Sequence, residues 1–164
     1  MHLSTDQVRD SVPFDGGSRR PWPTILCVDD DPEIARIWQI RLARHGIAVL
    51  CAANGADGFA VARGKKPDVI LLDVCMSHED GHQVLRCLRC DPQTRDIPVL
   101  MLTGGDARAI QRQASQERAD DYLAKPINFA ELLERLATYI PIGETARVSD
   151  TGACRSVRIE SESL

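Results

Sequence analysis

Val69-Ile70-Leu71-Leu72-Asp73 is a run of four apolar residues closed by a single carboxylate. A strand with one wet face would alternate apolar and polar residues. An unbroken run predicts a strand buried on both faces, as in a parallel sheet covered by helices. Similar runs lie upstream at 24–28 and downstream at 99–102, and weaker strands at 48–52 and 121–124 bring the set to five. Helical patterns fill the intervals. Asp31 is a candidate N-cap before Pro32, with Ile34, Ile37, Trp38 and Leu42 near helical spacing and Gly46 as a stop. A second helix is expected over 56–63, closed by Gly64, a third over 82–90, a polar fourth over 106–117 and a fifth over 128–140. Asn128 and Glu131 resemble a capping pair at the start of the fifth. Strand and helix alternate five times over 24–140, which predicts a doubly wound α/β fold on a five-stranded parallel sheet.

The chain has 164 residues, 43% of them hydrophobic, enough for one domain with a full core. Composition divides it into a flexible N-terminal segment, 1–22, a folded domain, 23–141, and a polar tail, 142–164, expected to be disordered. The net charge of −4 gives no general attraction to nucleic acid or anionic membranes. No apolar run is long enough to span a bilayer, and the N-terminus lacks the apolar stretch of a signal peptide, so a cytoplasmic location is expected. Cys27, Cys51 and Cys75 lie in or beside apolar runs and read as small hydrophobes. Cys87 and Cys90 form a C-x-x-C without a second ligand pair for zinc. They read as reduced thiols on a helix, with a redox pair as the other reading.

Open α/β sheets bind ligands beyond the carboxyl ends of their strands. There the first strand runs into Asp29-Asp30-Asp31, the third into Asp73, the fourth into Thr103 and the fifth into Lys125-Pro126. Clustered carboxylates repel one another and call for a cation. Hard oxygen ligands of this kind suit Mg²⁺. Lys125 adds a positive charge and Thr103 a hydroxyl donor, which together describe a pocket for a phosphoryl group on a carboxylate. Aspartate is a nucleophile for such chemistry, with a metal and a lysine stabilising the transferring oxygens. Taken alone, an Asp at a strand end is as readily a turn or helix cap, and Asp31 is read that way.

In order and spacing, these segments resemble the response-regulator receiver family of two-component signalling, over about 23–140. The matching stretches are Ile25-Leu26-Cys27-Val28-Asp29-Asp30-Asp31-Pro32, Val69-Ile70-Leu71-Leu72-Asp73-Val74-Cys75-Met76, Leu102-Thr103-Gly104 and Asp120-Asp121-Tyr122-Leu123-Ala124-Lys125-Pro126. The resemblance implies a flavodoxin-like sheet of strand order 2-1-3-4-5. It implies that Asp73 is the phospho-acceptor, that Asp29, Asp30, Asp73 and the Cys75 carbonyl hold Mg²⁺, and that Lys125 binds the phosphate. Thr103 would be the switch hydroxyl and Tyr122 the aromatic that turns inward with it. The implied partners are a sensor histidine kinase or phosphotransfer protein and an unidentified downstream protein, with no nucleic acid or membrane. The resemblance also allows a dimer through the fourth helix, fifth strand and fifth helix. No output module is expected after Ile140, so output would be a protein contact, or the chain is part of a longer protein. The chain departs from the family at Ser77, where Pro commonly follows Met, and at Arg118, where Gly often precedes Ala. The reading is of a signalling switch and not an enzyme. Two rivals remain, an aspartate-nucleophile phosphohydrolase, which would want an Asp where Cys75 stands, and a pseudo-receiver that never carries phosphate.

Overall fold

The computed structural model describes residues 22–77, 79–105 and 118–142. In chain order its elements are β1 (Thr24–Val28), α1 (Pro32–Ala43), β2 (Ala48–Ala52), α2 (Gly55–Lys65), β3 (Val69–Asp73), β4 (Cys75–Met76), β5 (Glu79–Asp80), α3 (Gly81–Cys90), β6 (Val99–Thr103), β7 (Asp121–Ala124) and α4 (Phe129–Ala137). The helix expected over 106–117 lies outside the described residues, as do the two expected tails apart from Trp22 and Ile142. Ile142 packs against the core.

Five strands form a parallel sheet in the order β2-β1-β3-β6-β7. This is the expected 2-1-3-4-5 order once the short antiparallel pair β4–β5, not foreseen from sequence, is set aside. Every residue of β1, β3 and β6 is buried, which is why their apolar runs are unbroken. Alternate residues serve two cores. Ile25, Leu71, Leu100 and Leu102 pack with Trp38 and Leu42 of α1 and with Leu132 and Leu136 of α4. Leu26, Ile70, Leu72 and Met101 pack on the other face with Ala62 of α2 and Val84, Leu85 and Leu88 of α3. Each such Leu or Ile contributes roughly 1.5–3 kcal/mol of burial.

The helix starts follow their caps. Asp31 accepts from the Glu33 N–H at 2.9 Å, Asn54 from Asp57 at 2.8 Å, and Asn128 from Ala130 and Glu131 at 2.9 and 3.4 Å. The ends differ from expectation. Gly64 does not close α2, which continues to Lys65 before Lys66 turns left-handed at φ 47°. Pro67 is the physical reason, since a residue preceding proline disfavours the helical region. Helix α4 stops at Ala137, three residues early, though Ile140 is still buried. Cys27 is buried and Cys51 half-buried, and burial pushes the Cys51 thiol up to about 11. Cys75 is exposed, contrary to its reading as a small hydrophobe, because in β4 it is Met76 that faces the core. Cys87 and Cys90 are free, exposed thiols of α3.

At the amino ends of the strands, opposite the acidic residues, Arg89 ties α3 to the segments that lead into β6 and β7. Its Nε donates to the Arg118 carbonyl at 2.7 Å, and one terminal nitrogen donates to the Arg95 and Ile97 carbonyls at 2.9 and 2.8 Å. The other terminal nitrogen meets Asp120 Oδ2 at 2.6 Å, and that oxygen also accepts the Val99 N–H at 2.7 Å. The side chain is only 11% exposed, and its loss removes all four of these hydrogen bonds at once, one of them a charge-assisted pair with Asp120. Arg89→Ala is expected to cost about 2–3 kcal/mol in chemical denaturation. Arg89→Lys should recover only part of it, because an ammonium lacks the planar fork that reaches four acceptors.

Candidate functional site

The sheet places the acidic residues together. β1 and β3 are adjacent and parallel, so Asp29 and Asp30, just past β1, meet Asp73 at the end of β3. The chain leaves β1 toward β2 on one side and returns to β3 on the other, making this the switch point at which open α/β sheets form clefts. One oxygen from each of Asp29, Asp30 and Asp73 lies within 4.8 Å of the others. Lys125, beyond the end of β7, brings its Nζ to 3.0 Å from Asp73 Oδ2 and 3.6 Å from Asp29 Oδ2. Its backbone N–H donates to the Thr103 carbonyl at 2.7 Å, locking the fifth sheet strand to the fourth. The Lys125–Pro126 peptide is cis.

Each carboxylate has its own donors. Asp29 Oδ1 accepts the Asp31 N–H at 2.9 Å, and Asp73 Oδ1 the Cys75 N–H at 3.1 Å. Asp30 Oδ2 accepts both the backbone N–H of Ser77, at 2.7 Å, and its hydroxyl. Burial is the largest influence on Asp29 and leaves its carboxyl above the usual range, although the Asp31 N–H and Lys125 pull it back. The Ser77 hydroxyl and N–H hold Asp30 below that range. Burial would lower the Lys125 ammonium, but its hydrogen bond to Asp73 and the charges of Asp29 and Asp73 leave it above its ordinary value.

These features fit a divalent cation. Asp29 Oδ2 is buried without a hydrogen-bond partner among the described residues, and one ammonium faces three carboxylates. An all-oxygen donor set is what Mg²⁺ prefers.

The remaining expected residues lie around this cleft. Thr103 ends β6 and is buried, one residue beyond the Asp73–Leu102 pairing, and its Oγ1 accepts the Gly105 N–H at 3.1 Å. Tyr122 is half-buried in β7 and packs against the core cluster of Leu26 and Met101. Cys75 touches the site through its backbone N–H, not its thiol. Two residues were not foreseen. Ser77 was noticed in sequence only as a departure from the family, yet it is the donor to Asp30. Gly81 carries no side chain where a Cβ would stand 2.8 Å from Val74 Cα and 3.0 Å from the Asp73 carbonyl carbon. The Asp80-Gly81 pair at the start of α3 was the available sequence signal.

Comparison with known proteins agrees with this geometry. Residues 25–137 match the family description of the response regulator receiver domain. The chain is 40% identical over 112 residues to Protein PilH of Pseudomonas aeruginosa, covering 68% of this chain and 93% of that one. It is 42% identical over 114 residues to the DNA-binding dual master transcriptional regulator RpaA of a Synechocystis species. That match covers 70% of this chain but only 47% of RpaA, so the chain spans about half the length of that relative. Among solved structures, the chemotaxis protein CheY4 of Vibrio cholerae matches with a TM-score of 0.67 at 29% identity, covering 73% of this chain and 99% of CheY4. The receiver domain of a Pseudomonas aeruginosa sensor histidine kinase, solved with a magnesium ion coordinated in its active-site cleft, matches with a TM-score of 0.65 at 29% identity, covering 72% and 97%. With the family match, the fold and the strand order all in agreement, the chain belongs to the response-regulator receiver family, the phosphorylation-dependent switches of two-component signalling.

Proposed function

We propose that Asp73 accepts a phosphoryl group from a phosphohistidine on a sensor histidine kinase or phosphotransfer protein. The observation that carries this reading is a buried carboxylate at a strand end with an ammonium 3.0 Å away and two further carboxylates beside it. In the step, an Asp73 oxygen attacks phosphorus and the histidine N–P bond breaks. The electron pair stays on the imidazole, which then takes a proton, and an acyl phosphate is left on Asp73. Asp29, Asp30, Asp73 and the Cys75 carbonyl would hold Mg²⁺, which when bound supplies charge neutralisation between the carboxylates and the incoming phosphoryl oxygens. Lys125 pairs with the same oxygens, and a charge-assisted bond of this type is about twice as strong as a neutral one.

The receiver family is in general a non-enzymatic signalling family. A phosphohydrolase reading finds no second acid two residues after Asp73, where Cys75 exposes its thiol. A pseudo-receiver reading would expect Asp73, Thr103 or Lys125 to be lost, and all three are present. No helix of the described residues is long and apolar enough to cross a membrane. A cytoplasmic location follows from the proposed phosphodonor. The output we propose is a downstream protein, or a second copy, meeting the surface of β7 and α4. Incubation with a small acyl phosphate and Mg²⁺, read by intact mass and peptide mapping, tests the reading. One phosphoryl group on Asp73 supports it, and none under any donor sinks it.

Thr103 is assigned the reading of the phosphate, not its acceptance. Its oxygen accepts from Gly105, while its hydroxyl proton remains available to donate to a phosphoryl oxygen. Thr103→Ala should therefore be phosphorylated near the parental yield yet leave the amide resonances around Tyr122 unshifted. Shifts matching the phosphorylated parent would remove Thr103 from the route.

A further inference from the structure

The geometry points to Ser77 as a positioning residue that fixes the Asp30 carboxylate for the divalent cation. This rests on the Mg²⁺ reading above. Asp29 is buried and tied to the Asp31 N–H, and Asp73 is buried and tied to Cys75 and Lys125. Asp30 has neither burial nor a strand to hold it, since it is only half-buried and opens the loop into α1. What holds it comes from 47 residues away. The Ser77 N–H and hydroxyl both donate to Asp30 Oδ2. Two donors on one oxygen fix the rotation of the carboxylate and leave Oδ1 unengaged by Ser77.

The backbone explains how Ser77 reaches that position. Cys75 pairs with Asp80 and Met76 with Glu79, so Ser77 sits at the tip of a tight hairpin directly after the acceptor strand. Met76 is buried and anchors the hairpin to the core, while Ser77 itself is exposed. A proline here would supply neither an N–H nor a hydroxyl. Groups that hydrogen-bond a metal-ligating carboxylate orient it before the metal arrives, and their loss typically weakens affinity by about 10–100-fold.

The test is Mg²⁺ titration of the full chain by calorimetry, with the Asp30 amide resonance as a second readout. The variants are Ser77→Ala, Ser77→Thr and Asp30→Asn. We expect Ser77→Ala to bind Mg²⁺ about tenfold more weakly. Ser77→Thr, which keeps the hydroxyl, should bind close to the parent. The metal-free melting temperature should hold in both, because the side chain is exposed. Unchanged or tighter binding in Ser77→Ala overturns the inference, since a tighter value would mean that Ser77 competes with the metal. So does a Thr variant that behaves like Ala, or a melting loss that accounts for the weaker binding. If Asp30→Asn binds Mg²⁺ as tightly as the parent, the metal reading itself fails, not only the role of Ser77.

Discussion

Asp73→Asn is expected to abolish phosphoryl uptake, by at least about 10³-fold relative to the parent, since it removes the proposed nucleophile itself. The substitution is close to isosteric. Asp73 is 3% exposed, and its Oδ1 accepts the Cys75 N–H, a role an amide oxygen can keep. The amide nitrogen would then face Lys125, whose ammonium can turn to Asp29 Oδ2, already 3.6 Å away. The fold should therefore survive, and loss of uptake would report chemistry. A neutral amide neither attacks phosphorus nor forms an acyl phosphate. The measurement is intact mass after incubation with the acyl phosphate and Mg²⁺, with circular dichroism as the control for folding. A variant labelled at the parental yield, or a label mapped to Asp29 or Asp30, would move the acceptor elsewhere.

What the sequence made legible follows from range. Strands β1, β3 and β6 are buried on both faces, and this physical condition writes itself as unbroken apolar runs. Their ends then locate Asp29, Asp30, Asp73 and Thr103 without any knowledge of contacts. N-caps are equally local, since Asp31 bonds a donor two residues on and Asn128 donors two and three residues on. Long-range features were not legible. The Ser77–Asp30 bonds join residues 47 apart, and Arg89 reaches Arg118, 29 positions away, so neither leaves a periodic trace. Gly64 misled because glycine marks a helix end only where the backbone needs it. Here the turn to left-handed conformation falls on Lys66, before Pro67, and not on Gly64. Cys75 misled for the opposite reason. It follows an apolar strand, but the hairpin alternates and sends its thiol outward.

The contrast between Gly81 and Gly64 yields the second large effect. Gly81 begins α3, and its N–H donates to the Val74 carbonyl at 3.0 Å, which draws the helix start onto the backbone just past Asp73. An added Cβ would fall far inside van der Waals distance of the Asp73 carbonyl oxygen and 2.8 Å from Val74 Cα. These are backbone atoms at and just past the end of a buried strand and cannot swing aside as a side-chain tip would. Ordinary contact requires the helix start and the strand end to part by about 1 Å. A displacement of that size in a reacting group costs about 10²-fold in rate. Gly81→Ala should therefore take up phosphate about 10²-fold more slowly, and overpacking should lower stability by about 1–3 kcal/mol. Gly64 lies inside α2, and a Cβ added there would meet nothing within 4 Å. Gly64→Ala should leave uptake unchanged and stabilise by up to about 1 kcal/mol. Single-turnover uptake and urea denaturation of both variants separate the two cases. If Gly81→Ala keeps parental uptake and stability, the β3–α3 junction yields more readily than its buried backbone allows, and the close approach at Gly81 does not hold Asp73 in place.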